Sequence, residues 1–229
     1  MEKIDIVIIG AGIAGIASAY YLQRNFPNIK FKILESRSSV GGTWDQMRFP
    51  GVRADNDMYT YGFSYYPWKG SIIGNGEEIR NYLNEVTDKF NIKKNILFNT
   101  EVKSLIWKDN KWITKTDHNK FTSQYVVCCT GSRDRKNPHL PKFKNEKIYK
   151  GKIVHTQAWG NIEFKNKNVT IVGSGCTAIT MAPSIIKEAK KVTLIQRSPA
   201  WIINIDSKEK STRLYKTFQV LWNYFSSRI

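Results

Sequence analysis

The sequence predicts an α/β fold made of two βαβ units that follow one another along the chain, the first carrying a small antiparallel β insertion. Three observations predict it. An apolar run at residues 4–9 breaks into Gly10-Ala-Gly12-Ile-Ala-Gly15. A second apolar run, at 169–172, breaks into Gly173-Ser-Gly175-Cys-Thr-Ala178. Each break opens onto a segment of helical character. Short continuous apolar runs suit parallel strands, which are covered on both faces and need no polar side.

The elements follow in order. After the strand at 4–9, a helix is predicted from Ile13 to Phe26, stopping before Pro27 because the residue preceding proline is pushed out of the helical region. Lys30–Leu34 reads as a second strand, ending at Glu35. Residues 36–74 have little periodicity but many Gly, Pro and aromatic residues, a poor fit for a floppy linker. A helix is predicted from about Gly76 to Phe90, with Asn75 and Glu78 spaced as a capping box. Residues 96–116 alternate as short antiparallel strands, closing with QYVVCCTG at 124–131. The polar, proline-bearing stretch SRDRKNPHLPKFKNEK, 132–147, is the expected domain crossing, which divides the chain into 1–140 and 141–229. In the second unit a strand at 169–172, a helix over about 176–189 and a strand at 192–196 are predicted. The tail places Leu214, Phe218, Leu221, Trp222 and Phe225 on one helical face.

Composition narrows the classes. A chain of 229 residues has ample core for one large domain or two small ones, and 41% hydrophobic with 13% aromatic residues marks it as globular. The net charge of +17 belongs mostly to lysines on solvated faces. It also draws in anions, phosphate-bearing cofactors among them. No nucleic-acid partner is expected: no helix-turn-helix, zinc finger or RNA-binding sheet is recognisable, and that role would leave both glycine loops without a use. Cys128, Cys129 and Cys176 are odd in number and form no C-x-x-C pair. They argue against a disulfide framework or metal site and for a reducing, cytoplasmic setting. Strand residues begin at Ile4, leaving no room for a signal peptide, and no apolar run is long enough to span a bilayer. A basic amphipathic tail would suit peripheral contact with a membrane surface. A helix awaiting its covering surface is the simpler reading.

The first loop follows a strand, opens a helix and is trailed 20 residues after Gly15 by Glu35. That constellation is the fingerprint of a Rossmann-like dinucleotide site. Gly10 allows the turn, Gly12 lets a pyrophosphate reach the backbone, and Gly15 lets helix and strand pack closely. The helix N-terminus offers amides and a positive dipole end to phosphate, and Glu35 can accept bonds from ribose hydroxyls. In the second loop alanine takes the third position, and the strand end reads Gln196-Arg197-Ser198 where an acid would otherwise stand. A carboxylate there would repel a 2′-phosphate, whereas a guanidinium can bind one bidentately. Two loops of different preference imply two dinucleotides, and FAD with NADP is the economical pair, since hydride passes from one to the other.

Two further stretches carry a family resemblance. GGTWDQMRFPGVRADNDMYTYGFSYYPW at 41–68 and YKGKIVHTQAW at 149–159 resemble the class B flavoprotein monooxygenases. Within them the Baeyer–Villiger monooxygenases are most similar, especially the ethionamide-activating branch. The family fingerprint stands here as Tyr149, Gly151, His155 and Trp159; Trp159 favours the Baeyer–Villiger type over the flavin monooxygenases that oxidise sulfur or nitrogen. The resemblance implies an NADPH- and FAD-dependent enzyme acting with O2, through a flavin peroxide, on a ketone or a soft heteroatom. It implies that Ala14 and Glu35 lie against the FAD pyrophosphate and ribose, that Thr43, Trp44, Asp45 and Gln46 follow the cofactor toward its flavin, and that Val102 contacts the adenine side. Arg53, Ala54 and Asp55 match the segment near the nicotinamide. Gly173, Ser174, Gly175, Cys176, Thr177, Ala178 and Ile179 match the NADP pyrophosphate loop, and Arg197 and Ser198 the 2′-phosphate site. Family members are about twice this long, so an N-terminal half with an incomplete second domain is expected. The family's peroxide-stabilising arginine has no counterpart in 1–229, and Asp55 is left with a supporting role. The rival from another class is a non-catalytic dinucleotide-binding remnant. Tyr59, Tyr61, Phe63 and Trp68 are expected mostly in core packing, and His155 and Trp159 in a mechanical role between domains.

Overall fold

The computed structural model describes residues 2–132 and 138–202. The apolar face at 214–225 and residues 133–137 of the expected crossing lie outside them. In chain order the elements are β1 (Glu2–Lys3), β2 (Ile6–Ile9), α1 (Ile13–Asn25), β3 (Phe31–Leu34), α2 (Thr43–Gln46), α3 (Met58–Tyr61) and α4 (Gly76–Lys89). After them come β4 (Ile96–Leu97), β5 (Val102–Lys108), β6 (Lys111–Thr116), β7 (Lys120–Ser123), β8 (Tyr125–Cys128), β9 (Asn168–Val172), α5 (Cys176–Ile185) and β10 (Lys191–Ile195). They group into two compact units. One comprises Met1–Gln46 and Arg80–Ser132; the other takes Met47–Ile79 with the described residues from Pro138 onward.

The first unit holds a parallel sheet of order β4-β3-β2-β8. β2 is central, pairing Ile6 to Ile9 with Phe31 to Leu34 on one side and Tyr125 to Cys128 on the other. All four of its residues are buried, Val7 and Ile8 completely. That position explains its unbroken apolar run: a strand hydrogen-bonded on both edges and covered on both faces has no polar side to show. A second sheet, β1-β7-β6-β5, forms the predicted insertion. Its Phe121 joins Ile4, Val7, Ile9 and Leu34 in one core cluster.

Three details differ from the sequence reading. Ile96–Leu97 pairs parallel with Ile33–Leu34 rather than antiparallel. The connection from β3 passes through a helix, and such a crossover returns the chain in its original direction. Lys120–Ser123 is an additional strand, paired antiparallel with Trp112–Lys115 and parallel with Glu2–Lys3; its buried Thr122 and Ser123 are polar and hide it from a reading by apolar alternation. Helix α5 ends at Ile185, short of the predicted 189, after Pro183, which brings no N–H to the helical ladder.

The capping box forms as spaced. Asn75 Oδ1 accepts from the amides of Glu77 and Glu78 at 3.0 and 2.9 Å, and Glu78 Oε2 accepts from the Asn75 amide at 2.8 Å. Asn75→Ala is therefore expected to lower stability by about 1 kcal/mol, the usual cost of losing such a cap, measurable as a shift in the urea midpoint.

The second unit pairs β9 with β10 in parallel, from Asn168↔Lys191 to Val172↔Ile195, with α5 between them in sequence. Its core joins Ile171 with Ala178, Met181 and Ile185 of α5 and with Met47 and Phe49. Tyr59, Phe63, Tyr66 and Trp68 are buried, and Tyr61 is exposed. Tyr59 Oη donates to the Gly70 carbonyl and Trp68 Nε1 to that of Ser71, each at 2.8 Å. The aromatic content of 47–68 thus folds that segment onto itself.

Candidate functional site

Both glycine loops take one geometry. The Gly10 amide donates to the carbonyl of Leu34, the last residue of β3, at 2.9 Å; the Gly173 amide donates to that of Ile195, the last residue of β10, also at 2.9 Å. Gly12 caps α1 at φ −79°, ψ −172°, and Gly175 caps α5 at φ −74°, ψ 171°, neither with a side-chain cap. The N-termini of both helices are therefore open to an anion. This equivalence sets Glu35 of the first unit at the position of Gln196 in the second.

The glycines of the first loop have separate reasons. Gly10 sits at φ 101°, and a β carbon there would stand 2.5 Å from the Cys129 carbonyl oxygen. A β carbon on Gly15 would stand 1.9 Å from the Gly10 carbonyl oxygen, so this residue sets how closely α1 lies on the turn. At Gly12 the nearest atom would be the Gly42 Cα, 3.6 Å away, which leaves the side facing a ligand open. In the second loop, Gly173 (φ 138°) and Gly175 have nothing within 4 Å of such an atom.

Glu35 is 1% exposed. Its Oε2 accepts from the Ala11 amide inside the loop at 2.7 Å, and its Oε1 accepts from the Arg37 amide at 2.9 Å and Ser36 Oγ at 3.3 Å. The acid at the strand end is thus fixed directly beneath the first glycine turn. The Gly41 amide donates to the Ala11 carbonyl at 3.0 Å, bringing Thr43–Gln46 beside the same loop. Buried Asp45 accepts from Arg37 Nε at 2.7 Å, and the Trp44 carbonyl accepts from Arg80 Nη1 at 3.3 Å. Ala14 is exposed on the first turn of α1. Val102 opens β5 and packs, half-buried, on the core of the first unit. Sequence reasoning passed over Arg37 and Arg80, which pin α2; neither belongs to a recognisable motif.

In the second unit, Gly173, Ser174, Gly175, Cys176, Thr177, Ala178 and Ile179 form the loop and the opening of α5, with Ala178 buried against the core. Arg197 and Ser198 follow β10 and are exposed. The structure brings Arg53, Ala54 and Asp55 into this same unit. The Ala54 amide donates to the Gly74 carbonyl at 2.8 Å. Arg53 lines a cleft of about 350 Å³ with Gly51, Ser71, Thr180 and Ser184. The Asp55 carboxylate accepts a hydrogen bond from the Cys176 thiol; that bond, then burial, pushes the thiol above its ordinary range. His155 Nδ1 accepts from the Gln157 amide at 3.2 Å and caps the short turn Thr156–Ala158, while Trp159 packs against the core of the second unit. A β carbon on Gly151 would meet the Tyr149 hydroxyl at 2.3 Å. The fingerprint residues therefore make local structural contacts within their unit.

Among the described residues no group of three or more His, Cys, Asp or Glu could hold a metal ion, and no helix is long and apolar enough to cross a membrane.

Two glycine-capped helices, each opening beside the end of a parallel strand, define a dinucleotide-binding oxidoreductase scaffold. A family model for pyridine nucleotide-disulphide oxidoreductases matches residues 4–219, and the chain belongs to that family. It is 40% identical over 242 residues to a probable FAD-binding monooxygenase, AlmA, of an Acinetobacter species, covering 100% of this chain and 49% of that protein. With the FAD-containing monooxygenase EthA of Mycobacterium tuberculosis it shares 36% identity over 212 residues, covering 89% of this chain and 43% of that one. A solved structure of oxidized steroid monooxygenase bound to NADP superposes at a TM-score of 0.83, with 26% identity, over 97% of this chain and 44% of that one. The chain spans about half the length of the curated relatives it matches.

Proposed function

We propose that this chain carries the two dinucleotide sites of an FAD- and NADPH-dependent monooxygenase of the Baeyer–Villiger type, which inserts one atom of O2 into a ketone. One observation carries the reading: two loops of the same backbone geometry end on different chemistry, Glu35 at one strand end and Gln196-Arg197 at the other. The relatives' names, FAD-containing monooxygenases and a steroid monooxygenase bound to NADP, support it.

The residues present fit both groups. Gly12 and Gly175 are open on the side where a pyrophosphate would lie, and each precedes a helix N-terminus whose dipole favours an anion. Glu35 would accept from the ribose of FAD, and Arg197 would take the 2′-phosphate of NADPH, with Ser198 beside it. Arg53 and Asp55 would lie toward the nicotinamide, Asp55 in a supporting role. Bound FAD would supply the redox and O2 chemistry, with NADPH as hydride donor. The protein's part would be to bind and orient each dinucleotide at its own loop.

The test is an anaerobic absorbance titration of the purified chain loaded with FAD. NADPH is expected to bleach the flavin bands and NADH to do so far less effectively. Arg197→Ala should weaken NADPH relative to NADH by roughly 10- to 150-fold, matching the 1.5–3 kcal/mol of a hydrogen bond to a charged group. Equal losses for both nucleotides would remove Arg197 from the 2′-phosphate. A chain that takes up no FAD would sink the reading for this chain. Once turnover is seen, an ester formed from a ketone, rather than a sulfoxide from a sulfide, identifies the oxygen-insertion type.

A further inference from the structure

The insertion sheet β1-β7-β6-β5 lies wholly in the first unit and turns one face to its core, through Leu105 and Phe121. Successive residues of a strand point to opposite faces, so the register fixes what the other face holds. Across its middle run Thr122, Ile113 and Ile106, opposite one another on β7, β6 and β5. On one side of this row Lys115 stands directly opposite Lys120; on the other, Lys108 stands opposite Lys111, at the ends of the Asp109-Asn110 turn. Lys3, paired with Thr122, closes the row on β1. Ile106 is 43% exposed, and all these lysines are exposed except the half-buried Lys111.

This arrangement works against folding. Like charges directly opposite one another on neighbouring strands are destabilising, and the face has two such pairs. By the same register its strands place no carboxylate on it. Glu2 points with Phe121 toward the other face, and Glu101 and Asp117 are both taken by Lys103, at 2.8 and 3.4 Å. Among the described residues none of the five lysines of the face is ion-paired. Lysine on an edge strand commonly guards against the addition of another strand. That accounts for Lys3 and Lys108, but β6 and β7 are interior strands, and Lys111, Lys115 and Lys120 need another reason.

We propose that this face docks on a bilayer surface containing anionic phospholipid, with the lysine pairs on headgroup phosphates and Ile106 and Ile113 against the interface between them. Anionic leaflets attract clustered lysines, and an apolar strip among them adds burial. The composition favours lipid over nucleic acid. Every cation is a lysine, not the arginine whose planar fork suits phosphate and base edges, and the apolar residues are aliphatic, with no ring on which a base could stack. Trp107 and Trp112, packed edge to face 5.3 Å apart, lie on the opposite face. Docking uses neither glycine loop, so it stands apart from the function proposed above.

Co-sedimentation of the purified chain with vesicles tests it, in about 0.1 M salt so that distant charges are screened. The chain is expected to pellet with vesicles of phosphatidylcholine and phosphatidylglycerol and to stay in solution with phosphatidylcholine alone. Lys115→Thr/Lys120→Thr should weaken binding roughly tenfold or more, the scale set by two lysines near an anionic surface. Its urea midpoint should stay level or rise, because a threonine pair replaces a like-charge pair. Lys187→Gln/Lys190→Gln removes the same two charges from exposed positions of the second unit and should keep most of the binding. Ile106→Ser, which changes no charge, should weaken vesicle binding several-fold. No binding to the anionic vesicles, an equal loss in Lys187→Gln/Lys190→Gln, or undiminished binding in Lys115→Thr/Lys120→Thr or in Ile106→Ser each overturns the proposal. Tighter binding to duplex DNA than to vesicles, lost in Lys115→Thr/Lys120→Thr, also overturns it and assigns the face to nucleic acid. If the Lys115/Lys120 variant fails to fold, Lys108→Thr/Lys111→Thr carries the same comparison.

Discussion

Gly15→Ala is expected to unfold or severely destabilise the first unit. The added methyl would lie 1.9 Å from the Gly10 carbonyl oxygen, and that oxygen is backbone, with no rotamer to give way. Gly10 is itself held, at φ 101°, by its amide bond to Leu34. Helix α1 must therefore lift from the turn, opening its buried face, Ile16 and Ala19 at 0% exposure, against β2. Alanine gains about 1 kcal/mol over glycine in helix propensity. Overpacking against an unyielding backbone costs about 1–3 kcal/mol and occasionally more, and the loss of α1 packing adds to it. The clash wins, and a net loss of about 3 kcal/mol is a large share of a typical 5–15 kcal/mol stability. Thermal melting followed by far-UV circular dichroism checks it. A melting temperature at or above that of the natural sequence would show that α1 does not sit on the turn as described.

The same residue shows why much of the site was legible in the sequence. The glycine loops, the acid at the end of β3, the Gln-Arg at the end of β10 and the Asn75–Glu78 capping box are each written within a few residues of one another or in one βαβ span. Backbone geometry converts such spacing directly into position: a turn needing positive φ demands glycine, and a helix start demands an uncapped or capped amide. Contacts between distant segments leave no such mark. Met47 and Phe49 read as apolar residues of a loop, and apolarity does not say which core takes them; the structure gives them to Ile171, Met181 and Ile185. Asp55 and Cys176 meet across 121 positions for the same reason, and neither residue alone announces a partner. Strand β7 escaped because Lys-Phe-Thr-Ser carries one apolar residue, Phe121, while its other buried residues, Thr122 and Ser123, are polar, so no apolar period marks it.

Under the function proposed above, the two strand ends would let one scaffold, used twice, distinguish two dinucleotides. In both units the first glycine amide takes the carbonyl of the last strand residue, so the next side chain is delivered to the same place beneath the loop. In the first unit that side chain is an anion with backbone partners and is buried; in the second it is a half-buried neutral amide followed by an exposed cation. On that reading the selectivity would rest on two or three residues at a fixed backbone address, not on a difference of fold.

Glu35→Ala should strip the first loop of its dinucleotide and loosen the loop itself. A carboxylate has about four acceptor positions. Here the Ala11 and Arg37 amides occupy two at 2.7 and 2.9 Å, and Ser36 Oγ takes a third at 3.3 Å. The remaining position, with the weakly held third, is available to ribose hydroxyls. Alanine removes all of them and leaves the Ala11 and Arg37 amides without their acceptor. A buried unmet donor costs about 1–3 kcal/mol, so a stability loss of about 2–4 kcal/mol is expected together with at least a roughly tenfold fall in FAD affinity. Glu35→Gln should fall between, since one amide oxygen can still serve Ala11 while the NH2 group turns a donor toward another donor. Flavin content of the purified variants and their denaturant midpoints measure both effects. Binding of NADP+ by the second unit should be unchanged, because Glu35 belongs to the first. Full flavin retention by Glu35→Ala with the midpoint lowered would leave Glu35 as a loop-holding acid alone, and the ribose would need another acceptor.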